Sequence, residues 1–202
     1  MRCIALFLAC FAVLTAQAQS STYADTIARH REAYRAEFLK SPGGPLHTAD
    51  DLSYLRFYAP DARYRVVGTV TRIDRAEPFD MPTYSGTTKP HVAYAVVDFV
   101  LNGKPQQLTL YRSLNLMKVP EYRDYLFLPF KDATSGETTY GGGRYMDLRL
   151  GDIRQGTVVL DFNKAYNPYC AFADGYACPI PPKANHLSVA IEAGEKVYAK
   201  AH

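Results

Sequence analysis

Apolar residues recur at helical spacing only near the start of the chain. Tyr23, Ile27, Tyr34 and Phe38 fall on one face, with Arg29, Arg31, Glu32 and Arg35 between them, which predicts a helix over about 22–40. Thr22-Tyr-Ala-Asp25 opens it with a capping pattern, and SPGGP at 41–45 forbids its continuation. Thr48 and Asp50-Asp51 begin a short further turn of helix. From Tyr64 the period falls to two. YRVVGTVTRI (64–73) and HVAYAVVDFVL (91–101) read as strands, the second with His91, Ala93, Ala95, Val97, Phe99 and Leu101 on one face. Asn102-Gly103 then turns the chain back into QQLTLYR (106–112), a hairpin. Further strands are expected at 138–140, 144–150, 157–162 and 187–193. Strands do not alternate with helices, so a parallel nucleotide-binding sheet is not expected. The fold class is mainly β: an antiparallel β-sandwich or partly closed barrel, with the N-terminal helix packed outside.

The first residues break this pattern. Arg2 precedes an apolar run from Cys3 to Ala16, followed by Ala16-Gln17-Ala18. A basic start, a short apolar stretch and a small-x-small site describe a secretory signal peptide. We expect cleavage after Ala18, leaving one β-rich domain over 19–202 in the periplasm or outside the cell. A lipoprotein reading at Cys10 fits less well, since Phe7 stands where Leu is wanted. No second apolar run is long enough to cross a membrane, so no transmembrane segment is expected. The formal charge is only +3 and its signs are mixed along the chain. Nucleic acid, which needs a concentrated basic face, is not an expected partner.

The leader also changes the cysteine count. Of four cysteines, Cys3 and Cys10 leave with it, and Cys170 and Cys178 remain. An even pair in an oxidising compartment reads first as a disulfide. Zinc wants four ligands, and only His186 follows nearby, so no metal is assigned. Two free functional thiols stay open as a third reading.

Two segments carry candidate chemistry. In TYGGGRYMDL (139–148), Gly141, Gly142 and Gly143 let the backbone approach a ligand, and Arg144 has a fork suited to an anion. The alternative is a bulged turn with Arg144 paired to a carboxylate. Alternation puts Tyr145 and Asp147 on one face, opposite Arg144 and Met146. In VVLDFNKAYNPYC (158–170), Asp161, Asn163 and Asn167 lie at or past a strand end, where sites and plain Asx-turns are both common. Asp147 and Asp161 make the best carboxylate pair for acid–base chemistry, with Asp132 and Glu195 behind them. There is no nucleophile elbow and no H-E-x-x-H, and the five histidines show no ligand spacing. The 16 tyrosines suit packing and also a mouth that holds flat ligands.

EPFDMPTYSG (77–86), YRDYLFLPFKDATSGETTYGGGRYMDL (122–148), and DFNKAYNPYCAF with CPIPPKANHLSVAIEAGEK (161–196) resemble a bacterial family, domain-of-unknown-function family 1684. The resemblance spans nearly the whole chain beyond the leader, and GGGRY and DFNxAYNPxC are its specific parts. It implies a β-rich domain, often exported, and no reaction.

Three function classes follow. The first is a binding or accessory module for a small polar or anionic ligand, with Gly141–Gly143, Arg144, Tyr145, Asn163 and Asn167 as contacts. The second is a hydrolase using Asp147 and Asp161, with or without a metal. The third is a structural protein of the envelope. No cofactor is implied, and the sequence says nothing of oligomeric state.

Overall fold

A computed structural model describes residues 23–200. The expected leader, residues 1–18, lies outside the described residues.

The first helix, α1, covers residues 23–40 and ends at the Pro/Gly turn. Ile27 and Phe38 are buried and Tyr23 and Tyr34 half-buried, so the helical stripe faces the protein. A second helix, α2 (Ala49–Ser53), is held by a reciprocal cap: the Asp51 N–H donates to Thr48 Oγ1, and the Thr48 N–H donates to the Asp51 carboxylate.

Seven strands follow: β1 (Arg65–Arg72), β2 (Phe79–Pro82), β3 (Thr88–Leu101), β4 (Lys104–Ser113), β5 (Tyr125–Phe130), β6 (Arg144–Arg149) and β7 (Thr157–Asp161). They form one antiparallel sheet in the order β6-β5-β4-β3-β1-β7, with β2 paired beside β3. The sheet curls into an open half-barrel. Of the two expected architectures, the partly closed barrel is the one formed. The β3–β4 turn has Asn102 and Gly103 both at positive φ, 51° and 74°, as a two-residue hairpin of this kind requires.

One core fills the concave face. Val97, Phe99, Leu108, Leu110, Leu126, Leu128, Val158 and Leu160 meet Leu187, Val189, Ile191 and Ala193 from the C-terminal segment. A smaller cluster of Met81, Tyr111, Phe127 and Tyr145 lies on the other face. A third joins α1 to the loops through Phe38, Leu55, Phe172 and Tyr198.

Three expectations fail here. The six alternate residues of β3 do not share a face, because the register shifts between Ala93 and Ala95. A bulge at Tyr94 moves Ala93 opposite Tyr111, in the outer cluster, while Ala95 sits opposite Leu110 in the main core. Residues 138–140 form no strand. Thr134 O accepts from the N–H groups of Glu137, Thr138 and Thr139, which winds this stretch into a tight turn. Residues 187–193 do alternate in burial, yet they form no strand either. Their main chain is held largely by side chains: Arg144 donates to the carbonyls of Ile191 and Ala193, and Asp132 accepts from the Ile191 N–H.

Candidate functional site

The two ends of the sheet, β6 and β7, border one cleft of about 850 Å³. β6 contributes Tyr145, Met146, Asp147 and Leu148; the β7 side contributes Val159, Asp161 and Lys164. Helix α1 adds His30, Tyr34, Glu37 and Phe38. The loop from Tyr166 to Pro179 closes it with Tyr166, Tyr169, Tyr176 and Cys178. Volume and lining are those of a small-molecule site.

Asp147 is held by two phenols. Tyr125 and Tyr166 each donate a hydroxyl to its Oδ1 at 2.6 Å. Its Oδ2 has no partner among the described residues. Asp161 is held in the same manner: its Oδ1 accepts from the Tyr23 hydroxyl at 2.9 Å and from the Asn163 N–H at 3.2 Å. Burial, reinforced by these carboxylates, pushes the Tyr23, Tyr125 and Tyr166 phenols well above their ordinary value, so all three stay protonated donors. Glu37 pairs with Lys40, and the Asp152 carboxylate caps the Arg149 N–H. Every acid of the lining is therefore engaged.

The bases of the lining are not. Arg65, Lys89, Arg154 and Lys164 make no ion pair among the described residues. His30 beside them is held below its ordinary pKa, by burial first and by Lys164 second, which keeps it neutral at pH 7.

Asp147, Asp161 and Tyr145 thus meet in one place, as the spacing allowed. The two segments also touch directly, since Tyr145 and Tyr166 exchange both main-chain hydrogen bonds. Tyr145 and Asp147 lie opposite Arg144 and Met146, as alternation predicts.

The other expected contacts lie elsewhere. Arg144 is fully buried at 0% exposure and ion-paired to Asp132 at 2.8 Å. Its two terminal nitrogens also donate to the carbonyls of Ile191, Ala193 and Glu195, while its buried Nε has no partner among the described residues; the guanidinium does not reach the cleft. This is the paired-carboxylate alternative. Gly141, Gly142 and Gly143 do not line the cleft, and the last two stand where the packing is close. Gly143 has φ +91°, and a Cβ there would stand 2.6 Å from the Phe130 carbonyl. A Cβ on Gly142 would meet the Tyr140 ring. Asn163 is buried and spent on structure: its amide donates to Tyr23 and the Asp61 carbonyl, and its Oδ1 accepts from the Asp61 N–H. Asn167 donates its N–H to Glu195 and its side-chain amide to the Lys196 carbonyl.

The expected Cys170–Cys178 disulfide is not seen: the two thiols are free here and not at disulfide distance. The Cys170 N–H donates to the Cys178 sulfur at 3.2 Å, and the Cys170 thiol donates to the Tyr176 carbonyl at 3.0 Å. Burial pushes the Cys178 thiol up to about 12. The loop rests against the Gly-rich turn: the Tyr140 hydroxyl donates to the Cys170 carbonyl, and the Tyr145 hydroxyl to that of Pro179. No group of three or more His, Cys, Asp or Glu capable of holding a metal occurs among the described residues.

Sequence reasoning passed over the four unpaired bases and the Tyr125–Asp147–Tyr166 clasp. Spacing alone gives no signal for either, because their members come from separate elements.

A family of proteins of unknown function, DUF1684, matches residues 50–196. The chain belongs to this family. The match runs from α2 to Lys196 and so takes in all seven strands, both segments that meet at Tyr145 and Tyr166, and the cysteine loop. An uncharacterized protein of Haloarcula marismortui, solved by solution NMR, is similar in fold and sequence, with a TM-score of 0.63 and 33% identity over 85% of this chain and 95% of its own. None of the curated proteins matches. No described helix is long and apolar enough to cross a membrane.

Proposed function

We propose that the cleft between β6 and β7 binds a small anionic ligand with a flat or apolar part. One observation carries this reading: the acids of the lining are engaged while Arg65, Lys89, Arg154 and Lys164 are not. A carboxylate or phosphate entering such a site gains charge-assisted hydrogen bonds without displacing existing ion pairs. The rings of Tyr34, Tyr166 and Tyr169 offer flat faces for the rest of the molecule. The anion cradle moves from the Gly-rich turn to this basic rim.

The test is a titration of 15N-labelled protein with benzoate and with p-nitrophenyl phosphate. Shifts should gather at Tyr145, Asp147, Tyr166 and Lys164, and Lys164→Ala with Arg65→Ala should weaken binding about tenfold without lowering Tm. Equal binding by the double variant would sink the reading.

The hydrolase alternative keeps one point in its favour. Asp147 and Asp161 each leave Oδ2 open in a shared cleft. Under this reading Asp147→Asn and Asp161→Asn each abolish turnover of a p-nitrophenyl substrate. Absence of turnover in the unaltered protein removes it.

We place the protein outside the cytoplasm, as one domain over 19–202 with the Cys170–Cys178 bond closing after export. Support comes from the leader pattern and from the two sulfurs sharing one short loop. The exported form should have an intact mass starting at Gln19 and lighter by two hydrogens. A mass that retains residues 1–18 or both thiols contradicts this placement.

A further inference from the structure

The walls of the cleft are sheet edges, and their main chains are open. In antiparallel pairing, successive residues turn their N–H and C=O alternately toward and away from the neighbouring strand. The Leu150 N–H donates to the Asp124 carbonyl, so the even positions beside β5 face inward. Tyr145 faces the other way and bonds the main chain of Tyr166 in both directions. That second ladder stops after one rung. Asp147 is the next outward position; antiparallel register puts Lys164 opposite it, but residues 162–164 wind into a 3-10 turn and no main-chain bond joins the two. Across the cleft the Val70 N–H donates to the Gly156 carbonyl, while Thr157 turns outward and bonds Arg154. By the same parity the main chain of Val159 faces the cleft.

Open edges of this kind are a template for another strand, and proteins usually cover or blunt them. Here the edge at Asp147 borders a cleft of about 850 Å³ that is also lined by Arg65, Arg154 and Lys164, none of them in an ion pair among the described residues. We infer that the ligand of the cleft is an acidic peptide in extended form, which adds a strand to the β6 edge by pairing its main chain with the outward groups of Asp147. Main-chain bonds supply the docking and the basic lining selects acidic side chains. The inference rests on the reading of the cleft as an anion site and names its ligand class.

The experiment uses the 15N-labelled protein with the peptide acetyl-Val-Glu-Val-Glu-Val-amide, its Lys-for-Glu counterpart, and a copy N-methylated at alternate residues. Amide exchange is read at Asp147. The acidic peptide should slow that amide about tenfold, and N-methylation should weaken binding by about the same factor. The Lys peptide should bind more weakly than the acidic one. If the acidic peptide shifts cleft signals but Asp147 exchange is unchanged and the N-methylated copy binds equally, the inference fails and the anion site stands. It fails in the same way if benzoate shifts the cleft and no peptide does. No response to benzoate, p-nitrophenyl phosphate or peptide removes both.

Discussion

Arg144 and Asp132 form an ion pair whose two side chains are fully buried, N to O 2.8 Å. Each also ties down main chain. Asp132 Oδ1 accepts from the N–H groups of Thr134 and Ile191, and Arg144 serves three carbonyls of the C-terminal segment. Removing one member leaves a buried charge and orphaned main-chain groups. Arg144→Ala should therefore cost about 3–5 kcal/mol, read by urea unfolding. Changing both, as Arg144→Met with Asp132→Leu, should cost less than the two single changes summed. Benzoate binding per folded molecule should not change, since neither residue lines the cleft.

Gly143 is a second fixed point. Its φ of +91° disfavours any side chain, and a Cβ would press on the Phe130 carbonyl and on Pro181. Gly143→Ala should lose at least about 2 kcal/mol of stability, measured by Tm and urea midpoint together. Gly141, with only ordinary contacts around a Cβ, should tolerate Ala far better.

Much of this was legible in the chain and some was not. The Asn102-Gly103 hairpin, α1 and β6 follow from local pattern, because turn chemistry and period are short-range properties. The burial of alternate residues in 187–193 was legible too. Its lack of a strand was not, since the partner of the Ile191 and Ala193 carbonyls is Arg144, 47 and 49 residues away. The Tyr94 bulge hides for a related reason. Ala93 and Ala95 look alike in sequence, and only pairing with Tyr111 and Leu110 separates them. Of the site, Tyr145 and Asp147 could be chosen because alternation along one strand puts them on the same face, and Asp161 because it is a carboxylate at the end of another strand. The basic rim draws Arg65, Lys89, Arg154 and Lys164 from four separate stretches, and no local pattern joins them.

Glu195 gives the protein a pH signature. It is buried, donors from Tyr34 and Asn167 reach its Oε2, and its Oε1 has no partner. Burial pushes its pKa up to about 8, from an ordinary 4.5. The folded form then keeps a proton that the unfolded chain releases. That stability is complete below about 4.5, declines as pH rises through the window, and is gone above about 8. The urea midpoint should fall across pH 5–8, and Glu195→Gln should flatten that fall. An unchanged slope in the variant would exclude Glu195 as its source.

The α2 cap is a local test. Thr48→Ala removes the acceptor of the Asp51 N–H and should cost about 1 kcal/mol in urea unfolding. Asp51→Ala should cost at least as much, because its carboxylate also accepts from the His47 and Thr48 N–H groups and pairs with Lys200.

The placement of Arg144 also sets an order of events during synthesis. The residue is made well before the carbonyls that will receive it, and until Ile191 emerges its guanidinium has no acceptors in the core but Asp132. The curled sheet can pair without that segment, yet its concave side then keeps water around the charge. Docking of the stretch through Glu195 is what lets the water leave. A variant truncated before Ile191 should be cut by protease where the full chain resists.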